Sequence, residues 1–244
     1  MNDLSGQVAV ITGAGRGIGK GIALAYAEAG AAVICAARTF HEVEQTANEI
    51  KNAGGKASAF VVDVTDFETA VSLFQHAHNN FGGVDIVLIN AGVSHSQQSV
   101  EESDPKIWAE VIQINLMGAY HTAKAAIPHL KERGGGKILL MGSGLGHKGI
   151  PNRSAYSSSK AGLWMLTRVL AQELAPYSIS VNEIIPGPVR TEMTPGTDGE
   201  IRGTLGLGEW VKAPKDVAPL ALFLATQPNG GPTAQSFSLM RRDG

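Results

Sequence analysis

Short apolar runs alternate with longer amphipathic stretches along all 244 residues. Val8 to Thr12 (VAVIT) is apolar up to its final threonine and ends in glycines, as a strand buried on both faces does. The same signature recurs at Ala31 to Ala37, Ala57 to Val62, Val84 to Ile89, Lys137 to Met141, Ile179 to Ile185 and Ala234 to Met240. Between these runs, apolar residues recur at helical spacing. Helices are expected from the first glycine turn through Ala29, over His41 to Ala53, Asp66 to Phe81, Ile107 to Lys131, from the region of Tyr156 to Ala175, and over Lys215 to Ala225. Regular strand–helix alternation predicts an α/β fold, a parallel sheet with helices on both faces. No internal repeat or low-complexity linker interrupts it. The chain is therefore expected to form a single domain, 1–244, with residues 1–92 mainly binding a cofactor and residues 93–244 holding catalytic residues, a substrate loop near 187–212 and the last strand.

The first strand runs into Gly13-Ala14-Gly15-Arg16-Gly17-Ile18-Gly19 and then a helix. A pyrophosphate can touch backbone N–H groups at such a helix start only where side chains are missing. The common G-x-G-x-x-G spacing is absent; Thr12 to Gly19 reads T-G-x-x-x-G-x-G. Strand two ends at Arg38-Thr39, where an acid would hold ribose hydroxyls; the next acid, Glu42, falls in the following helix. Arg38, with Arg16 closing from the glycine turn, instead suits a 2′-phosphate, which favours NADP(H) over NAD(H). Gly13, Arg38, Asp63, Asn90, Ser143 and Pro186 each follow a predicted strand. All six therefore fall on one edge of the sheet, where ligands bind in such folds.

The stretch from Ser143 to Lys160 supplies a hydroxyl, the Tyr156 phenol and the Lys160 ammonium. Tyr156 and Lys160 are four apart, on one face of a helix that Asn152 or Ser154 is expected to cap. A free phenol titrates near 10, but a neighbouring ammonium and a helix N-terminus favour its ionised form. An acid/base operating near pH 7 is the expectation. Tyr120 and Lys124 repeat the spacing, but no Ser/Gly-rich stretch precedes them, so that pair is expected to be structural.

Composition narrows the classes. A net charge of −2 gives no reason to expect nucleic acid or membrane as partner, and no apolar run reaches membrane-spanning length. The single cysteine, Cys35, excludes an internal disulfide and a cysteine-type metal cluster. A cytoplasmic protein with no metal and a small-molecule substrate is expected.

These residues resemble the short-chain dehydrogenase/reductases over nearly the whole chain. The marks are TGAGRGIG at Thr12–Gly19, Asp63-Val64, Asn90-Ala91-Gly92, Asn115, Ser143, Tyr156 and Lys160, and Asn182 to Gly187 with Thr191. The chain is similar to reductases of the 3-oxoacyl-carrier-protein type. The resemblance implies a Rossmann-like, doubly wound, seven-stranded sheet and a homotetramer or homodimer. It implies that Tyr156 is the acid/base, that Lys160 lowers its pKa and holds the nicotinamide ribose, and that Ser143 bonds the substrate oxygen. Asn115 would hold a water linking the lysine to solvent, Asp63 would lie on adenine, and the Pro186-Gly187 segment would bring Val189 and Thr191 to the nicotinamide. The substrate pocket is expected from Ser94 to Gln98, from Leu145 through His147 to Arg153, and from a glycine-rich loop, Thr194 to about Trp210.

Two departures stand out. Gly142 replaces a common serine and is expected to enlarge the pocket slightly. The usual ending is replaced by FSLMRRDG, whose Arg241 and Arg242 are candidates for a subunit or acidic-substrate contact. The function expected is NADPH-dependent reduction of a ketone or aldehyde. The alternatives are an NAD-dependent alcohol, polyol or sugar dehydrogenase and a redox-inactive NADP-binding regulator.

Overall fold

The computed structural model describes residues 3–95, 97–193 and 210–240. Seven strands, β1 (Val8–Thr12), β2 (Ala32–Ala37), β3 (Lys56–Val61), β4 (Ile86–Ile89), β5 (Gly136–Met141), β6 (Ile179–Ile185) and β7 (Ser236–Ser238), form one sheet in the order β3-β2-β1-β4-β5-β6-β7. Every pairing is parallel. The chain builds outward from β1 to β3, then returns to the other side of β1. The crevice where the order reverses lies between the ends of β1 and β4.

Helices cover both faces, and the alternation of side chains along the strands divides the core in two. Val10, Val87, Ile138 and Val181 pack under α3 (Phe67–Phe81), α5 (Gly118–Glu132) and α6 (Ser154–Leu174). Their neighbours Ala9, Ile11, Leu88 and Leu139 pack under α1 (Gly17–Glu28), α2 (Phe40–Asn52) and α7 (Ala218–Ala225). Cys35 is in the second cluster, where burial pushes its thiol up to about 12 and leaves it unreactive. Among the described residues, no helix is long and apolar enough to cross a membrane.

Three elements differ from expectation. The helix expected over Ile107 to Lys131 is α4 (Pro105–Ile112) and α5 joined by a π-helical segment, Gln113–Met117. The wider turn carries Asn115, 1% exposed, into the interior. The last strand is only three residues long, because Ala234 has a left-handed φ of 59° and ladder pairing begins at Ser236. The helix expected from Lys215 begins as a 3-10 turn, Pro214–Val217; α7 follows with Pro219 in its first turn, where a missing N–H costs nothing.

Candidate active site

At the sheet switch point, the glycine turn is held by the end of β4. The Asn90 side-chain amide donates to the carbonyls of Thr12 (3.0 Å) and Gly13 (3.2 Å), and Thr12 Oγ1 accepts from the N–H groups of Asn90 and Ala91. Gly13 and Gly17 have φ of 68° and 57°, a region that disfavours side chains. At Gly19 a Cβ would overlap the Gly13 carbonyl oxygen and come within 2.6 Å of Asn90 Nδ2. At Gly15 it would meet Glu42 Cβ at 2.7 Å. Helix α1 starts from Arg16 with no side-chain cap, so no side chain of that residue occupies its first N–H groups. These features fit a dinucleotide pyrophosphate, by close backbone approach to an uncapped helix N-terminus. Thr191 is drawn to the same place: a Cβ on Gly17 would lie 3.4 Å from its methyl group.

The two arginines behave differently. Arg16 Nη1 is ion-paired with Glu42 (3.1 Å) and Glu192 (2.7 Å), contacts made by an exposed side chain. Arg38 and Thr39 are exposed beyond β2. Arg38 is near enough to Asp63 to help hold that carboxyl below its ordinary range, although the main cause is the Thr65 backbone N–H that Asp63 accepts. Asp63 thus closes a turn, and Val64 beside it packs where a Cβ on Gly118 would collide. Gly92 sits close to the catalytic candidates: its Cβ would be 3.1 Å from Asn115 Oδ1 and 3.8 Å from Lys160 Nζ.

Ser143 follows β5 and opens a 3-10 turn, Gly144–Gly146; its hydroxyl accepts from the Leu145 N–H and lies near enough to the Tyr156 phenol to act on its ionisation. Tyr156 lies in the first turn of α6. Neither Asn152 nor Ser154 caps that helix. The cap position is Arg153, Asn152 is left-handed (φ 64°), and Ser154 Oγ instead accepts from Trp108 Nε1. Lys160 is 5% exposed; its ammonium donates to the Met141 carbonyl at 2.7 Å and lies 5.7 Å from the Tyr156 ring centroid. Asn115 bridges the parts, accepting from Val93 N and donating to Val93 O and Ser159 Oγ.

Electrostatics here revise the expectation of a lowered phenol. Burial raises the Tyr156 pKa, opposed by the nearby Ser143 hydroxyl and the Arg153 charge. Burial also lowers Lys160 to about 8, opposed by the Glu183 carboxylate. Near neutral pH the site therefore holds a protonated phenol and an ammonium. Tyr120 and Lys124, the second pair, form a surface cation–π contact with Lys124 also over Phe67.

The pocket expectations are met unevenly. Ser94, Leu145 and Arg153 are partly buried. His147 does not point to a substrate: its Nε2 bonds both oxygens of Glu183, at 3.0 and 3.2 Å. Gly142 does not enlarge the pocket, because a Cβ there would overlap Glu183 Oε1; the carboxylate fills the space. Residues 194–209 and 241–244, which hold the expected glycine-rich loop and basic tail, lie outside the described residues. The segments flanking 194–209 are joined by hydrogen bonds from Arg190 N to Lys212 O and from Lys212 N to Pro188 O, beside Gly187 (φ 66°) and Val189. Opposite the site, His78, His129 and Glu132 bring ligand atoms within 4.8 Å of one another. Glu132 is exposed, and three such side chains do not by themselves define a metal centre.

The fold and the glycine turn fit a dinucleotide, and Ser143, Tyr156 and Lys160 lie near it at the carboxyl edge of the sheet. The chain belongs to the short-chain dehydrogenase family, whose model matches residues 7–200. It is an oxidoreductase acting on alcohol or carbonyl groups. It is 39% identical over 206 residues to a (-)-trans-carveol dehydrogenase of Rhodococcus erythropolis, covering 79% of this chain and 74% of that protein. It is 32% identical over 236 residues to a 3-oxoacyl-[acyl-carrier-protein] reductase of Thermotoga maritima, covering 95% of each. The crystal structure of carveol dehydrogenase from Mycobacterium avium in complex with NAD superposes with a TM-score of 0.89 at 31% identity, over 98% of each chain.

Proposed function

We propose that this protein reduces a ketone or aldehyde to an alcohol using NADPH, with Tyr156 as the proton donor. The observation that carries this is the meeting of Ser143, Tyr156 and Lys160 at one strand edge beside the glycine turn. The bound nicotinamide would supply the hydride. The chain's own groups do the rest. The substrate oxygen sits between the Ser143 hydroxyl and the Tyr156 phenol. The phenol's raised pKa keeps it protonated at neutral pH, the form needed to donate to the oxygen of a reduced carbonyl. The Lys160 ammonium stabilises the tyrosinate left behind. Asn115 fixes Val93 and Ser159 around the lysine. The 3-oxoacyl relative supports a carbonyl substrate. The test is NADPH consumption against a panel of cyclic ketones and 3-oxoacyl thioesters.

Arg38 supports NADPH through its exposed place at the end of β2. Arg38→Asp is expected to move the preference toward NAD(H), by roughly 10-fold or more if one charge-assisted contact to the 2′-phosphate is lost. Equal ratios of kcat/KM for the two cofactors in wild type and variant would remove Arg38 from that role. The second reading, an NAD-dependent alcohol dehydrogenase, is favoured by the carveol dehydrogenases and by the NAD in the Mycobacterium avium structure. It uses the same residues in the opposite direction.

The pH dependence follows from Lys160. Below about 8 it is an ammonium, and above that value it becomes neutral. The rate of carbonyl reduction should therefore fall as pH rises through about 8. A profile of kcat/KM that stays flat to pH 10 would contradict the assigned role. Met117, Tyr120, Met165 and Val169 expose apolar surface on the π segment, α5 and α6, and we place a homotetramer contact there.

A further inference from the structure

One buried charge beside the site has no part in the reaction as described so far. Glu183 is fully buried in β6, in a run that is otherwise Ile, Ser, Val, Asn and Ile. A buried carboxylate costs several kcal/mol unless it is paired and hydrogen-bonded. Here it is both. His147 Nε2 bonds its two oxygens at 3.0 and 3.2 Å, and Ser236 Oγ donates to Oε2. Arg168 extends the network by donating to Ser236 Oγ at 3.2 Å while stacking on Trp164, which also meets the His147 ring edge-on.

The location matters as much as the pairing. His147 closes the 3-10 turn that Ser143 opens: Gly146 N–H donates to the Ser143 carbonyl, and His147 N–H donates to that of Gly144. The same carboxylate packs against Gly142, whose missing side chain makes the space for it. One residue earlier along this backbone, Met141 O accepts from Lys160. Ile179 and Val181 face the α6 side of the sheet, so strand alternation puts Glu183 on the face that Lys160 approaches. The titratable and charged groups placed on Lys160 and its carboxylate are Tyr156 of the same helix, on which Arg153 at the helix cap acts, Glu183 from β6, His147 from the turn and, through Ser236, Arg168 of α6.

We propose that Glu183 and His147 are positioning residues for the reaction: the carboxylate, through His147, fixes the turn that carries Ser143, and across Met141–Gly142 it is the counter-charge of the Lys160 ammonium. This rests on the assignment of Ser143, Tyr156 and Lys160 to the chemistry. Glu183 is fully buried and bonded by His147 and Ser236, so its part is positional. The direction in which it moves Lys160, toward retaining its proton, agrees with the geometry.

The test compares Glu183→Gln, His147→Ala and His147→Gln with wild type in four measurements: NADPH binding by nicotinamide fluorescence, kcat and KM, the pH profile, and a 13Cε NMR titration of Lys160 in the nucleotide-free protein, with the signal assigned by its loss in Lys160→Arg. Glu183→Gln should bind NADPH with a Kd close to wild type while kcat falls by about 10- to 100-fold, the scale of a misplaced catalytic group. Its Lys160 midpoint, and the alkaline fall in rate, should move to lower pH. His147→Gln, which keeps an N–H donor toward Glu183, should recover most of the kcat that His147→Ala loses. An unmoved Lys160 midpoint overturns the counter-charge role. Equal kcat in wild type and His147→Ala overturns the positioning role, also when Glu183→Gln fails to fold. Parallel loss of nucleotide binding, turnover and Tm, with no rescue by glutamine, overturns the proposal in favour of a plain core contact. Failure of the underlying assignment shows separately, as turnover that survives Tyr156→Phe, while the NMR titration still decides the counter-charge.

Discussion

Tyr156→Phe is expected to lose turnover by about 10²- to 10⁴-fold, the contribution of a positioned general acid, while NADPH still binds. The substitution removes one oxygen and leaves the ring between Ser143 and the lysine. Nothing else in the described site offers a proton at that point. The Ser143 hydroxyl is a weak acid, and Lys160 is turned toward the Met141 carbonyl at 2.7 Å. The loss should appear in kcat and kcat/KM together, because the bond to the substrate oxygen strengthens as the alkoxide develops. Fluorescence titration separates this from a damaged fold. A variant that keeps substantial turnover removes Tyr156 from the acid role.

The second large effect is expected at Gly19. A single methyl group in Gly19→Ala would overlap the Gly13 carbonyl oxygen and crowd Asn90 Nδ2 to 2.6 Å. Both partners are fixed, one as backbone and the other by its bonds to Thr12 and Gly13. Overpacking of this kind costs about 1–3 kcal/mol; for a chain of this size each kcal/mol lowers Tm by roughly 2–4 °C. Binding of NADPH should fall further than stability does, because the strain is released by moving the loop that cradles the pyrophosphate. Thermal unfolding with and without NADPH checks both parts. A variant with wild-type Tm and wild-type nucleotide stabilisation would show that close backbone packing at this turn is not required.

Much of the sheet was legible from the chain because its strands are buried on both faces. Val8–Thr12 and Ile179–Ile185 read as apolar runs ended by Gly, Ser or Pro, and both have the predicted bounds. The parallel pairing and the carboxyl edge that carries the site follow from strand–helix alternation; the order of the strands, which places the switch between β1 and β4, does not. The π segment around Asn115 was not legible: one extra residue per turn leaves no mark in hydrophobic periodicity. Nor was the start of α6, where Ser154 offers its hydroxyl to Trp108, forty-six residues away, instead of capping its own helix.

Glu183 carried a signal that could have been weighed, a lone acid in an otherwise apolar and small-polar strand. Its partner could not be found that way. His147 meets it only because β5 and β6 are neighbours, which brings the turn after one strand over the end of the other. Gly142 belongs to the same case. Read alone it suggests empty space; in the fold its missing side chain is the complement of the carboxylate. Arg16 shows the limit for surface charge, since its partners Glu42 and Glu192 are brought together by the glycine turn and by the segment after β6.

Titration of the purified protein with NADPH and with NADH, followed by nicotinamide fluorescence, asks whether the glycine turn and the edge beside it hold a nucleotide. Saturable binding of both is expected, with NADPH preferred through the glycine turn and Arg38. Binding of neither nucleotide would contradict a reductase built on this site, whatever the fate of its individual residues.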